Sequence, residues 1–139
     1  MSVDQASMFL YTNRFKTFDG WPYTKDDGAK CTAEKLSHSG FFRPNPDSDP
    51  DLVRCFVCHK DLEGWEPNDE PESEHKSHSS KCPFLKLKNR NMNDMKMKDF
   101  VKLRYNEAIY LISVSGKKAV DDLKHDTKKS LGEFEKQAP

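Results

Sequence analysis

Hydrophobic residues follow a helical period over the last third of the chain. From Tyr105 onward, apolar or small residues are separated by three or four positions, the spacing that places them on one face of an α-helix. These positions are Tyr105, Ile109, Ile112, Gly116, Val120, Leu123, Thr127, Leu131 and Phe134. We therefore predict one long amphipathic helix over residues 98–139, joined to the preceding domain by a linker at residues 91–97.

The predicted helix is longer than the domain that carries it. Roughly forty residues at about 1.5 Å each extend for about 60 Å, so most of the apolar stripe has no partner surface within residues 1–90. An isolated helix of this kind is marginal in water, and Gly116 weakens its centre. An intermolecular helical bundle is the prediction; the alternatives are an antiparallel fold-back onto the domain and a partly frayed tail. The predicted contacts with partner helices are Tyr105, Ile109, Ile112, Val120 and Leu123.

Residues 1–90 contain short apolar segments interrupted by turn formers, a pattern typical of a domain of short helices and strands. The predicted elements are helices over 8–18 and 32–39, strands over 52–56 and 61–65, and a helix that begins at Pro71. Thr32 is the expected N-cap of the second helix and Gly40 its C-terminal stop. The predicted fold class is α+β, with short helices around a small antiparallel sheet followed by the long helix.

Composition limits the size of the core. Only 35% of the residues are hydrophobic, 33% are charged, and the mean hydropathy is −0.92. The 23 basic and 23 acidic side chains cancel, so net charge gives no reason to expect nucleic-acid or anionic-membrane binding. No apolar run approaches the roughly 18 residues of a membrane span, and the N-terminus lacks the pattern of a secretion signal. We expect an intracellular protein that needs a metal ion to hold a thin core together.

Four residues form the strongest chemical signal. Cys55 and Cys58 make a C-x2-C pair that can place two sulfurs on one ion, His75 lies on the helix that follows, and Cys82 comes just after it. Three thiolates and one imidazole suit tetrahedral zinc, and four protein ligands leave no open position for water. We predict one structural Zn²⁺, whose binding free energy of roughly 10–16 kcal/mol is comparable with the stability of a small domain. Cys31 lies outside this set and is expected to be a buried thiol.

Two alternatives to zinc come from the same residues. The four side chains can be unrelated, some of them simply buried. The stretch from Cys55 to His59 also matches the C-x-x-C-H pattern of haem attachment. That chemistry normally accompanies export, and it leaves His75 and Cys82 without a role.

An acidic run follows the cysteine pair. Seven carboxylates lie between Asp61 and Glu74, with Trp65 among them. Carboxylates beside an indole can hold an ammonium group over a small apolar contact, and a free protein N-terminus is such a cation. The neighbouring strand edge can pair with an extended peptide. The alternative is a solvated acidic loop with a structural tryptophan.

The motifs around these ligands resemble the baculovirus inhibitor-of-apoptosis repeat, the BIR domain. The resemblance covers roughly residues 9–88. The matching segments are Arg14-x2-Thr17-Phe18-x2-Trp21-Pro22, Leu36-Ser37-His38-Ser39-Gly40-Phe41-Phe42, Cys55 to Cys58, Gly64-Trp65-Glu66-Pro67, His75 and Cys82-x-Phe84. A single such repeat followed by one helix, with no RING motif, is similar to the survivin-like members of the family.

The resemblance implies roles for the acidic run. In BIR domains that bind alanine-first peptides, a glutamate and an aspartate hold the terminal amine and a tryptophan packs beside the methyl group. In survivin-like members the same groove accepts a histone tail phosphorylated on a threonine near its alanine end. The matching positions are Glu63, Asp69 and Trp65 for the alanine, Lys60 and His78 for the phosphate, and Leu62 as the remaining member of the peptide-binding set. Survivin-like proteins often carry Thr-Pro at the start of the second helix, but Ala33 follows Thr32 here, so that kinase site is not expected.

The resemblance also implies an assembly. In survivin-like proteins the C-terminal helix bundles with helices of borealin and the inner centromere protein and so joins the Aurora B kinase complex. The implied locations are the nucleus, the chromosome and centromere, the spindle midzone and the cytoplasm. A homodimer contact is implied for residues 87–100 together with Phe9 and Leu10.

Three functions compete at this stage. The first is a chromosomal passenger adaptor for mitosis, cytokinesis and chromosome segregation, in which the zinc domain reads a histone tail and the helix joins the complex. The second is an apoptosis inhibitor that sequesters alanine-first pro-death peptides or blocks a caspase. The third, an enzyme, is not expected, because all four metal positions are filled by the protein and no nucleophile–base pair or phosphate-binding glycine loop is present.

Overall fold

A small sheet and three short helices form a domain from which one long helix extends. The computed structural model describes residues 3–137, with side chains through Lys129. The helices are α1 (Tyr11–Lys16), α2 (Ala33–His38), α3 (Pro71–His78) and α4 (Met97–Gln137), the strands are β1 (Phe41–Phe42), β2 (Val53–Cys55) and β3 (Asp61–Leu62), and 3-10 turns cover Gln5–Ser7 and Pro83–Lys86. The predicted α+β class is confirmed.

Local signals explain where the short helices begin and end. The Thr32 side chain accepts a hydrogen bond from the backbone N–H of Lys35 at 3.3 Å, which is the predicted N-cap of α2. The chain leaves α2 through Gly40, whose φ of +93° is open to glycine at little cost. Pro71 occupies the first turn of α3, as predicted. The helix predicted over residues 8–18 is present but shorter, because α1 begins only after Leu10, whose backbone is extended, and ends before its C-cap Thr17.

The sheet is antiparallel, with β2 in the centre. Phe41 of β1 lies opposite Cys55, and Val53 lies opposite Leu62 of β3. β1 was not predicted, and the strands expected over 52–56 and 61–65 are shorter. The second ends early because the chain turns at Gly64, where φ is +78°. β3 therefore lies at an edge of the sheet, and its outer side has no strand partner among the described residues.

Aromatic and aliphatic side chains pack around one buried arginine. Arg14 is only 1% exposed, and its guanidinium donates hydrogen bonds of 2.9 Å to the carbonyl oxygens of Ser37, Met8 and Phe9. Its charge also lies 4.6 Å from the centre of the Phe56 ring. Burial lowers the pKa of Arg14 to about 10. Arg14 thereby ties the N-terminal segment and α2 to the core.

The first turns of α4 pack against the domain. Leu103 and Glu107 are buried, Tyr110 packs against the core, and the hydroxyl of Tyr110 lies 3.1 Å from that of Ser79 at the end of α3. These positions form a second face of the helix that the sequence analysis did not identify. Ile112 is nine positions beyond Leu103, which at about 100° per residue places it about half a turn away.

The predicted stripe of α4 is exposed. Tyr105 is 65% exposed and Ile112 is 72% exposed, and Ile109, Val120 and Leu123 are also exposed. The described part of the chain therefore shows neither the fold-back nor any cover over these residues; Leu131 and Phe134 lie outside the described side chains. No helix in the described region combines the length and apolarity needed to span a bilayer.

Candidate zinc centre and peptide groove

The four predicted ligands converge on one point. Cys55 ends β2, Cys58 lies in the turn that follows, His75 is on α3 and Cys82 precedes the second 3-10 turn. Their ligand atoms all lie within 4.8 Å of one another, and all four residues are buried. The long separations in sequence are thus closed by the fold, which brings α3 and the segment before the second 3-10 turn to the end of β2.

The distances between ligand atoms match a tetrahedral zinc site. Zn–S bonds of about 2.3 Å and Zn–N bonds of about 2.0–2.1 Å place two sulfurs about 3.8 Å apart, and a sulfur and a nitrogen about 3.6 Å apart. The Sγ atoms of Cys55 and Cys82 are 3.9 Å apart, and Sγ of Cys58 is 3.5 Å from Nε2 of His75. The cluster therefore fits one structural zinc ion with every position filled by the protein.

Hydrogen bonds around the cluster prepare the ligands. Nδ1 of His75 lies 2.8 Å from the carbonyl oxygen of Ser39. A carbonyl can only accept, so Nδ1 carries the proton and Nε2 presents its lone pair to the metal. The backbone N–H of Val57 points at Sγ of Cys55 at 3.4 Å. Ser39 contributes only its backbone carbonyl, which every residue has, so its role could not be predicted from the sequence.

Ionisation of one thiol in the cluster makes ionisation of its neighbours less favourable, and a bound dication offsets this penalty. Burial, followed by the hydrogen bond with Cys58, raises the pKa of the Cys55 thiol well above its usual range. Hydrogen bonds from Cys55 and Cys82 lower the pKa of Cys58. Among these groups alone one thiolate is favoured, and only a cation at the centre stabilises three.

His59 does not join the cluster. It follows Cys58 with a left-handed φ of +58°, its ring is exposed, and its Nε2 lies 3.9 Å from Oε1 of Glu107. The cysteine sulfurs face inward, toward His75. This arrangement does not fit haem attachment to Cys55 and Cys58.

The predicted groove residues line β3 and the loop after it. Lys60 and Glu63 are exposed, and neither side chain has a polar partner among the described residues. Leu62 is half-buried and packs against the core. Asp61 accepts hydrogen bonds of 2.6 and 3.0 Å from Arg54 on β2. Lys60 and Glu63 therefore flank an open strand edge with their charges free.

Trp65 and Asp69 are more constrained than the sequence suggested. Trp65 is only 6% exposed, and its ring meets Phe41 edge to face at 5.9 Å. It is a core residue with a small open edge. Oδ2 of Asp69 accepts a hydrogen bond of 2.7 Å from the backbone N–H of Glu66, which closes the loop.

His78 is on α3, one turn beyond His75. Its ring is exposed, and its Nε2 lies 3.5 Å from Oε2 of Glu74. The structure therefore places His78 on a different element from the rest of the predicted peptide-binding set.

Hydrogen bonds from residues 23–31 hold the acidic loop, a connection that the sequence did not predict. The Tyr23 hydroxyl donates to the carbonyl oxygen of Trp65 at 2.7 Å, and the Cys31 thiol lies 3.0 Å from that of Glu66. Burial raises the pKa of Cys31 to about 11, so it remains a neutral donor. The backbone N–H of Lys30 donates a hydrogen bond of 2.7 Å to the carbonyl oxygen of Pro67. These contacts hold the loop's main chain in place.

Comparisons with known proteins place this architecture in a family. Residues 14–86 match the family model described as "BIR: Inhibitor of Apoptosis domain", a range that contains all four metal ligands and the acidic loop. The chain belongs to the BIR family. The match ends before α4, so the long helix lies outside the BIR domain itself.

Curated relatives of the BIR domain are survivin-like. The chain is 40% identical over 100 residues to "Baculoviral IAP repeat-containing protein 5.2-A" of Xenopus laevis, a match that covers 72% of this chain and 62% of that one. It is 42% identical over 96 residues to "Baculoviral IAP repeat-containing protein 5" of Cavia porcellus, covering 69% of this chain and 66% of that one. The matched region spans less than two thirds of the length of these relatives. Within the BIR family the chain is thus similar to protein 5, survivin.

A solved structure confirms the fold. The crystal structure of the autoinhibited dIAP1-BIR1 domain is 28% identical, with a TM-score of 0.50, and covers 62% of this chain and 77% of that one. The BIR fold and one structural zinc at Cys55, Cys58, His75 and Cys82 are therefore as predicted.

Proposed function

We propose that this protein is a survivin-like adaptor. Its BIR groove binds the N-terminus of an alanine-first histone tail phosphorylated on threonine. Its C-terminal helix bundles with borealin-like and inner-centromere-protein-like helices, and so localises Aurora B kinase in mitosis and cytokinesis. The observation that carries the proposal is an open strand edge beside carboxylates on a zinc-held loop.

The groove supplies three kinds of recognition for an extended N-terminus. The outer edge of β3 offers main-chain hydrogen bonds. The exposed Glu63 offers a free carboxylate, and Asp69 keeps a second oxygen beyond the one that accepts from Glu66. Lys60 provides a positive charge for a phosphate. Because hydrogen bonds already hold the main chain of the acidic loop, the loop loses less entropy on binding than a flexible loop would.

Matched peptides test amine capture. Glu63→Gln with Asp69→Asn removes both charges, and the asparagine oxygen can still accept from Glu66. We expect binding of an alanine-first, threonine-phosphorylated peptide to weaken at least about tenfold, with an unchanged melting temperature. Asp121→Asn with Asp122→Asn is the control, because both residues are exposed on distal α4.

Two further peptides separate the parts of the groove. An N-acetylated peptide should lose most of its affinity for the natural chain, and equal binding would refute amine capture. The unphosphorylated peptide should bind more weakly than the phosphorylated one, and Lys60→Gln should abolish that difference. His78→Gln should have a smaller effect, since His78 already lies beside Glu74.

The exposed stripe of α4 supports the second half of the proposal. The five large apolar side chains of the stripe are exposed to solvent over several helical turns, away from the face that packs on the domain. Such a stripe is typical of a bundle that is completed by other chains. We expect Ile112→Asp with Val120→Asp to abolish co-purification with helices of borealin and the inner centromere protein. Lys117→Asp with Lys124→Asp, off the stripe, should retain them. Loss in both variants, or retention in both, would contradict the assignment.

An inhibitor of apoptosis is the second candidate. It is favoured by the description of the matching family model and by the similarity to the dIAP1-BIR1 domain. In this role the groove binds unphosphorylated alanine-first pro-death peptides, or the protein blocks a caspase, and α4 is not needed. Tighter binding of a pro-death peptide than of the phosphorylated histone peptide, or direct inhibition in a caspase assay, would favour this candidate.

We also propose the locations and the homodimer that accompany the adaptor function. The locations are the nucleus, centromere, spindle midzone and cytoplasm. For the homodimer, residues 87–100 and Phe9 already contact each other within one chain: the rings of Phe9 and Phe100 meet edge to face at 5.7 Å. Sedimentation of a Phe100→Ser variant tests whether the same surface also joins two copies.

A further inference from the structure

The first turns of α4 contact the segments that carry the zinc ligands. The helix meets the turn after Cys58, the end of α3 beyond His75 and the second 3-10 turn after Cys82. These segments are separate parts of the sequence that the fold brings to one side of the metal centre. Three of the four ligands therefore have a neighbouring segment that touches α4.

Glu107 joins α4 to the turn of the cysteine pair. It is only 7% exposed, and a carboxylate buried to this extent needs polar partners. Its Oε1 lies 3.9 Å from Nε2 of His59, and its Oε2 accepts a hydrogen bond of 2.8 Å from Arg104. His59 has a left-handed backbone, with φ +58°, directly after Cys58. Because that conformation is unfavourable for a residue with a Cβ, the contact with Glu107 helps to hold the turn in shape.

Tyr110 joins α4 to the segment between the other two ligands. Its hydroxyl lies 3.1 Å from that of Ser79. The backbone N–H of Ser79 donates to the carbonyl oxygen of His75 at 2.8 Å, and the backbone N–H of Cys82 donates to the carbonyl oxygen of Ser79 at 3.0 Å. Ser79 is therefore bonded to both of these ligand residues, and a displacement of Ser79 would disturb both.

The helix also joins the hydrophobic core around the ligands. Leu103 is 3% exposed and belongs to the same hydrophobic cluster as Cys55, Cys58 and Cys82. The residues around the ligands of a metal site orient those ligands and control access to the ion. A metal leaves such a site only when its ligands separate and a competing ligand enters. Contacts with α4 therefore oppose release of the ion, although α4 supplies none of the four ligands.

We propose that Glu107 and Tyr110 are positioning residues of the zinc centre. They act through His59 and Ser79, which hold the ligand-bearing segments in the arrangement that the metal requires, so docking of α4 slows release of zinc. The coupling is reciprocal: a metal that fixes these segments also fixes the direction in which α4 leaves the domain. The inference does not depend on the function proposed for the peptide groove or for the exposed stripe.

Transfer of zinc from the full chain to an excess of a coloured chelator measures the effect. Glu107→Gln removes a charge and Tyr110→Phe removes one hydroxyl, each with little change in shape. We expect each variant to release zinc about threefold faster, and the two changes together about tenfold faster, the lower end of the range for residues that orient metal ligands. Asp126→Asn and Tyr105→Phe make the same chemical changes at exposed positions of α4 and should leave the rate unchanged.

A second control separates positioning from general destabilisation. Gly28→Ala strains the backbone at φ +74°, where the added Cβ meets nothing within 4 Å, and Gly28 lies outside the ligand-bearing segments. It should destabilise the domain without speeding the transfer of zinc. If Gly28→Ala speeds the transfer as much as a Glu107 or Tyr110 variant of equal stability, zinc leaves through global unfolding and the proposal is wrong.

Cobalt reports the arrangement of the ligands themselves. Co²⁺ binds tetrahedral thiolate and imidazole sites as zinc does, and its visible absorption bands depend on the ligand geometry. We expect these bands to shift in the double variant, or in the single variants if the double variant does not fold. Ser79→Ala should speed zinc transfer as Tyr110→Phe does, and combining them should add little, because both remove one hydrogen bond. Unchanged cobalt bands, or fully additive effects of Ser79→Ala and Tyr110→Phe, would overturn the proposal.

Discussion

Gly40 supports the zinc centre through a close contact, and the cost of filling that contact can be estimated. It lies between α2 and β1 with φ +93°. A Cβ added there would lie 2.9 Å from both Cδ1 and Cε1 of Phe84 and 3.5 Å from Sγ of Cys55. Phe84 has no exposed surface, and its ring packs against Phe56 at 5.2 Å. The ring therefore has little room to move away.

Three terms give the expected destabilisation of Gly40→Ala. A left-handed backbone costs an L-residue roughly 1–2 kcal/mol, and the reduced entropy of the unfolded chain returns roughly 0.4–1 kcal/mol. Overpacking a rigid core adds about 1–3 kcal/mol. The free energy of unfolding should therefore fall by about 1–5 kcal/mol. The contact with Cys55 is of ordinary length, so zinc should still bind.

The chain provides a matched control for the backbone term. Gly28 has a similar φ of +74°, and its added Cβ would meet nothing within 4 Å. We expect Gly28→Ala to cost only the backbone term. Urea unfolding of the zinc-loaded proteins, followed by tryptophan fluorescence, measures the difference. If Gly40→Ala is no less stable than Gly28→Ala, the packing argument is refuted. If adding Phe84→Leu to the Gly40→Ala chain recovers none of the lost stability, the clash does not involve the Phe84 ring.

Three further substitutions test the architecture. Cys82→Ser should abolish the cooperative melting transition, as should chelation of the natural chain, because buried thiols then lack their cation; an intact transition would contradict a structural zinc. Tyr110→Phe removes the hydrogen bond to Ser79, so it should lower the free energy of unfolding by about 0.5–1.5 kcal/mol and speed amide exchange in the first turns of α4. Tyr105→Phe, on the exposed face, is the control and should do neither. Arg14→Met should cost about 3 kcal/mol or more, since two buried carbonyl groups and one part-buried carbonyl group lose their donor. A smaller loss in thermal denaturation would mean that water replaces the guanidinium.

The features that the sequence predicted depend on short-range signals. Cys55 and Cys58 can share an ion because of their spacing alone, and the cap at Thr32 lies within one turn of the N–H that it accepts from. The apolar stripe of α4 repeats over many turns, so its period identifies both the helix and its unburied face. In each case the residues that interact, or the face that they share, are set by local geometry.

The missed features join distant residues through groups that every amino acid has. Tyr23 and Cys31 hold the acidic loop through the carbonyl oxygens of residues 42 and 35 positions away, and no side chain at the accepting end marks these contacts. The docking face of α4 is short and includes a carboxylate, Glu107, whose pKa is raised by burial. A pattern that counts apolar positions passes over such a residue. The free stripe was therefore visible in the sequence, while the face that fixes the helix to the zinc domain was not, and the proposed adaptor function needs both.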